Sequence, residues 1–275
     1  MRTLVAALAL AATLVLGTTA VAPAEKPVVI PICLLASPAT SSSCAPRPEF
    51  DFSLSFAPRR LPRKEMTPVA VGVQAAFQTS DGSLPPAFSE LVLAFDKNTV
   101  VDARALPACG RALLETLGTE IARHRCRDSI VGFGTAHVAV PSFSPNPIPL
   151  QLTLFNGGVR DGKTTLLIHS FIAAPGRESL VAVVKIGRVE NERYGLEAVV
   201  EIPRVNGADS LLLDFTLEVK RARKGVPDWR YALARCFDEH LNARMTTVFQ
   251  DGTRLIGSVI RGCTPTAAPA ASSAG

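Results

Sequence analysis

Phe50, Phe52, Leu54 and Phe56 alternate with Asp51, Ser53 and Ser55, so every second side chain in this stretch is large and apolar. A β-strand sends successive side chains to opposite faces, and this period of two predicts a strand with one buried side. The signal recurs downstream between turn residues such as Thr79-Ser80-Asp81-Gly82. Further strands are predicted over 69–78, 90–96, 130–140, 150–155, 164–172, 180–189, 196–202, 211–220, 229–235, 245–249 and 255–260.

One region has a helical period instead. Ala112, Leu113, Leu117, Ile121 and Ala122 share a face if 112–125 is helical, although Gly118 interrupts the run. Alternating βα units are absent, which argues against a parallel α/β sheet. About a dozen short strands predict an antiparallel β-sandwich, with a partly open β-barrel as the alternative. The short helix falls between Cys109 and Cys126.

The chain ends behave differently. Met1-Arg2-Thr3 is a short positive start, Leu4 to Leu16 is apolar, and Ala22-Pro23-Ala24 offers a small-residue cleavage site. That is the layout of a secretory signal peptide over 1–24. The apolar run of about 13 residues falls short of the ~20 that span a bilayer, and no transmembrane span is expected after cleavage. Residues 25–48 are rich in Pro, Ser and Ala, a single domain is expected over 49–263, and 264–275 reads as a disordered tail.

Export changes how the six cysteines are read. In an oxidising compartment they are expected to form disulfides. Six cysteines allow 15 pairings, so spacing only ranks them. Neighbouring pairs are favoured: Cys33–Cys44 in the Pro-rich segment, Cys109–Cys126 around the helix, and Cys236–Cys263 tying the last strand to the sheet. With the cysteines so committed, no zinc site built on them is expected, and no cofactor is called for.

The formal charge of +5 adds little, since a mild positive balance suits an anionic partner but also follows from ordinary Arg usage. Two basic clusters stand out: Arg59, Arg60, Arg63 and Lys64, and Lys220, Arg221, Arg223, Lys224 and Arg230. On a shared face they would suit an anionic cell-envelope polymer. No aromatic platform interleaves them, so nucleic acid is not expected.

Gly157-Gly158-Val159-Arg160-Asp161-Gly162-Lys163-Thr164 fits the pattern of a phosphate-binding loop, whose chemistry needs a helix starting at the Lys. The β-branched residues that follow predict a strand, hence a hairpin and no nucleotide. Glu197 and Glu201 share a strand face but stand roughly 13 Å apart, too far for a glycosidase pair. His124, His137, His169 and His240 form no ligand pair by spacing, and Asp238-Glu239-His240 reads as a solvated loop. No G-x-S-x-G elbow is present.

Several blocks, taken in order, carry a resemblance. They are Phe52-Ser53-Leu54-Ser55-Phe56-Ala57-Pro58, Leu84-Pro85-Pro86, Leu106-Pro107-Ala108-Cys109, and Cys126-Arg127-Asp128-Ser129-Ile130-Val131-Gly132-Phe133-Gly134. Leu154-Phe155-Asn156-Gly157, Ile202-Pro203 and Phe249-Gln250-Asp251-Gly252 follow, with Cys263 last. This order resembles a set of uncharacterised exported proteins of high-GC Gram-positive bacteria, over about residues 50 to 263. The resemblance implies export and a β-rich fold, and it transfers no catalytic residue.

The expected function is that of a non-catalytic extracellular or envelope-associated module binding a surface polymer, a lipid or another exported protein. The alternative is an extracellular hydrolase of glycans or esters. A third reading is a carrier of an apolar ligand, whose signature would be a dry internal cavity.

Overall fold

The computed structural model describes residues 46–104, 106–173, 176–205, 207, 210–220 and 230–266. The expected signal peptide, the Cys33–Cys44 pairing, the basic residues Arg221, Arg223 and Lys224, and the tail beyond 266 lie outside the described residues.

The first strands are β1 (Pro48–Ala57), β2 (Arg60–Pro62), β3 (Thr67–Pro68), β4 (Ala70–Thr79), β5 (Phe88–Asp96) and β6 (Thr99–Val101). Two short helices follow, α1 (Arg111–Leu114) and α2 (Thr119–Arg125). Then come β7 (Ile130–Ala139), β8 (Ile148–Arg160), β9 (Lys163–Ile172), β10 (Glu178–Arg188) and β11 (Tyr194–Glu201). The chain continues through β12 (Leu211–Val219), β13 (Ala232–Ala234), β14 (His240–Phe249), β15 (Arg254–Gly262) and β16 (Thr264–Thr266).

Eleven strands form one antiparallel sheet in the order β1-β4-β12-β7-β8-β9-β10-β11-β5-β14-β15. Its two edge strands come back together. The Phe50 ring of β1 packs on Gly257 of β15, where an added Cβ would lie 2.7 Å from the ring. Arg261 Nε of β15 donates to the Leu54 carbonyl of β1 at 2.6 Å. The sheet is thus nearly closed, its seam bridged by side chains. Of the two expected antiparallel arrangements, the partly open barrel is the one formed, because a single continuous sheet curls on itself.

Two glycines make that curl possible. A Cβ on Gly132 would stand 2.0 Å from the Glu218 carbonyl oxygen, and one on Gly134 would stand 2.1 Å from that of Thr216. Only glycine lets β7 press this closely against β12. Gly132 and Gly134 therefore mark a close approach of the β7 and β12 backbones.

Alternation sorts the side chains as the first strand foretold. Leu54, Val73, Leu93, Leu152, Leu154 and Leu166 enter one interior cluster, against which Phe50 and Phe52 also pack. Outward positions carry polar groups such as Gln74, Glu218, Lys185 and Glu201. An apolar interior is the reverse of the polar lumen of an outer-membrane barrel. Among the described residues no helix is long and apolar enough to cross a membrane.

The barrel has unlike ends. The β1–β4, β5–β7 and β12–β14 connections all leave one end, and there β3, β13 and β6 form a small second sheet. Cys236–Cys263 ties that connection to the end of β15. At the opposite end, Phe77 meets Phe88 edge-on at 4.7 Å and Phe88 stacks on Phe249 at 4.9 Å.

The helical excursion lies on the outer face of β8, β9 and β10. Leu114 and Ala122 bury against Phe155, Leu167, Val181 and Val183, and Cys109–Cys126 staples the excursion at its base. The expected helix is split because Gly118 has extended backbone (φ −68°, ψ 158°) and starts α2 afresh. Two boundaries also differ from expectation. The strand expected over 229–235 is described only from Ala232 to Ala234, and Thr264–Thr266 pairs in parallel with β2 instead of trailing free.

Candidate ligand chamber in the barrel

Inward alternation on eleven strands leaves space along the barrel axis that the side chains do not fill. One chamber of about 110 Å³ lies toward the Phe end, walled by residues such as Leu91, Val138, Leu150, Leu180 and Leu212. A second of about 130 Å³ lies toward the capping sheet, walled by Leu54, Val73, Leu154, Val184 and Leu196 among others. Leu93, Ile168, Val200 and Leu217 belong to both walls, so the chambers abut. Each approaches the roughly 150 Å³ of an engineered apolar cavity that stays dry and admits benzene.

Few polar groups reach this space. Ser170 and Ser210 face the first chamber, and Ser210 Oγ donates to the Pro203 carbonyl at 3.1 Å. Thr99, Asn242 and Tyr231 line the second. Thr99 Oγ1 donates to the Asp96 carbonyl at 2.6 Å, and Asn242 Nδ2 donates to Asp96 Oδ2 at 2.7 Å. Asp96 itself is buried at the end of β5 and also accepts from the backbone amides of Asn98 and Asn242. The Tyr231 hydroxyl is different: it is buried and has no hydrogen-bond partner. Burial pushes its phenol pKa well above the usual value of 10.0, so the group is neutral. An unpaired buried hydroxyl costs about 1–3 kcal/mol.

The other chemistry-bearing residues lie outside the barrel lumen. Arg160 and Lys163 flank the Asp161-Gly162 turn of the β8–β9 hairpin, where Asp161 (φ 50°) and Gly162 (φ 73°) are left-handed. Lys163 opens a strand, so the segment with the phosphate-loop pattern lacks the helix that chemistry needs. Glu201 pairs with Lys185 on the outer surface. Asp238 pairs with Lys97 at 3.8 Å and Glu239 with Arg63 at 3.2 Å, while His240 opens β14. Among the described residues no group of three His, Cys, Asp or Glu side chains is placed to hold a metal ion.

Two histidine arrangements went unforeseen. His137 Nδ1 lies 2.9 Å from Asp214 Oδ1, a cross-strand pair on the outer face of β7 and β12. Both side chains are about half exposed, and no hydroxyl joins them among the described hydrogen bonds. His169, fully buried under the helices, has Nε2 2.9 Å from the Leu117 carbonyl. A carbonyl only accepts, so Nε2 carries the proton and Nδ1, without a partner, carries none. Desolvation, with Arg123 nearby, lowers its pKa.

The chamber walls follow from period-two positions, each of which reads as ordinary core. Nothing local marked Tyr231, which immediately precedes a three-residue strand too short to show a period. Both Cys109–Cys126 and Cys236–Cys263 form as expected. No family model, curated protein or solved structure matches this chain.

Proposed function

We propose that this protein is an exported, non-catalytic binding module that takes the hydrocarbon part of a lipid into its barrel. The observation that carries the reading is the pair of abutting apolar chambers inside a nearly closed sheet. A core this regular normally packs without such voids, and lining atoms facing a void forfeit dispersion contacts. Each methylene moved from water into such a space gains about 0.8 kcal/mol. A slim chain spanning both chambers would therefore bind despite the cost of ordering it.

The amino-terminal signal-like segment and the two disulfides support an extracellular or envelope location. Membership of the exported high-GC Gram-positive set remains part of the same proposal. The hydrolase alternative gains no support from the half-exposed His137–Asp214 pair.

The test is calorimetric titration of the folded protein with 1-octanol, beside Ala198→Phe and Ala182→Phe, which fill the second and first chambers. Saturable one-to-one binding with a negative heat-capacity change is expected, weakened in both variants. Absence of saturable binding to the wild type would overturn the reading.

A further inference from the structure

We infer that the outer wall of the barrel carries a second binding site, a polar groove over β1, β4 and β12 that takes a sugar ring bearing a carboxylate, as in an acidic polysaccharide. The inference goes beyond the apolar chambers and does not rest on them.

The groove follows from strand register. Ser53, Gln74 and Thr216 lie opposite one another on the three strands, and so do Ser55, Gly72 and Glu218, two residues further along. These positions point outward, because Leu54, Val73 and Leu217 between them pack inside. Two such rows on three strands make a patch of about 7 by 10 Å. Gly72 is the one position of the patch without a side chain, and it leaves a notch. With Arg59 and Arg261 these residues line a groove of about 440 Å³, larger than either chamber.

The polar groups around the notch are uncommitted. Ser53 Oγ donates to Gln74 Oε1 at 3.4 Å, and the Gln74 Nε2 donors have no partner among the described hydrogen bonds. Arg261 uses one donor, Nε, on the Leu54 carbonyl, and that bond fixes a guanidinium whose other donors are unused among the described residues. Neither Arg59 nor Glu218 belongs to an ion pair among the described residues. Arg63, from the same basic cluster as Arg59, is instead taken by Glu239. Lys220, two residues past Glu218, holds its Nζ over the Phe133 ring at 4.5 Å.

The charges choose the ligand. Two guanidiniums and one carboxylate leave the groove one net positive charge, which a sugar carboxylate balances and a phosphate dianion exceeds. The planar fork of an arginine also matches a carboxylate. Sugar hydroxyls donate and accept, as do the Ser, Thr and Gln side chains, and the Glu218 carboxylate accepts. The C–H face of the ring rests where Gly72 has no side chain. Asp51, the next outward carboxylate on β1, stands four residues from Ser55, roughly 13 Å away and beyond the Debye length of about 8 Å.

NMR titration of the whole folded protein with trigalacturonate tests the inference on wild type, Arg59→Gln and Gly72→Val. Arg59→Gln keeps the backbone carbonyl that accepts from the Thr264 amide. A Cβ on Gly72 meets the rotatable Ser55 hydroxyl at 2.5 Å and nothing else closer than 3.8 Å, so both variants should melt with wild type. Saturable shifts are expected at the backbone amides of Gly72 and Thr216 and at the Gln74 side-chain amide. Affinity should fall about tenfold in Arg59→Gln and at least as far in Gly72→Val. The methyl ester of trigalacturonate, which keeps the hydroxyls and loses the charge, should bind wild type about tenfold more weakly or less. Glycerol 3-phosphate should not compete.

Absence of saturable shifts at those positions, or full affinity in either folded variant, would overturn the inference. So would equal affinity for acid and ester, a comparison that needs no variant. Competition by glycerol 3-phosphate would overturn the assignment to a sugar carboxylate. Octanol binding is a separate readout, so the chamber reading stands or falls independently of the groove.

Discussion

Arg261 reaches across the open edge of the sheet and donates from Nε to the carbonyl of Leu54, 2.6 Å away and 207 residues earlier in the chain. The eleven-stranded sheet has no backbone ladder between β1 and β15. This hydrogen bond and the Phe50–Gly257 contact both bridge the seam. A charge-assisted bond of this kind contributes about 1.5–3 kcal/mol. Arg261→Ala should lower the melting temperature by roughly 3–6 °C and speed hydrogen exchange in β1 more than in β8. Uniform exchange across both strands would show that the seam is held some other way.

Asn156 joins the wall to the excursion that covers it. Its Nδ2 lies 3.0, 3.0 and 3.1 Å from the carbonyls of Ala103, Leu106 and Pro107, and its Oδ1 accepts from the Gly158 amide at 3.1 Å. The side chain is fully buried, and Asn156→Ala would strand several backbone groups. A loss of about 2–4 kcal/mol is expected in urea unfolding. A loss below about 1 kcal/mol would mean water replaces the amide without penalty.

The disulfides close loops of 17 and 27 residues. The chain-entropy account gives each roughly 3–3.5 kcal/mol. Cys109→Ser/Cys126→Ser should release the helical cover, visible as proteolysis between residues 106 and 129, and leave the barrel folded. Cleavage within β8 or β9 instead would show that the cover and the barrel unfold together.

His169 makes stability fall in mild acid. Its folded pKa lies below the ordinary value of 6.5, so the unfolded chain binds more protons in the window beneath that value. Stability is therefore complete above pH 6.5 and declines as pH falls toward the lowered pKa, by at most about 1.4 kcal/mol per pH unit. His169→Gln can keep a donor toward the Leu117 carbonyl and carries no titrating group. Between pH 7.5 and 5.5 the urea midpoint should drop further for wild type than for this variant. Equal drops would assign the acid sensitivity to other groups.

The fold could be read from the sequence to the extent that periodicity and cysteine spacing carry it. Phe50 to Phe56 alternates because one face is buried, and most strands end within a few residues of where their patterns stop. The choice between sandwich and barrel was not legible. It depends on Gly132 and Gly134 accepting the close approach of β12, and on Arg261 meeting Leu54, relations between residues far apart in the chain. The chambers were illegible for a similar reason, since Leu93 or Val200 looks the same in sequence whether it meets a neighbour or a void. Tyr231 carried no signal at all, because an unpaired hydroxyl is a property of its surroundings.

The central claim is that an apolar ligand enters the barrel, and methyl-resolved NMR of the 1-octanol titration tests it most directly. The account predicts saturable shifts for the Leu93, Ile168, Val200 and Leu217 methyl groups that border both chambers, with the exposed Ile256 and Ile260 methyls of β15 unmoved. Shifts confined to Ile256 and Ile260, or no saturable shift at the four interior residues, would contradict it.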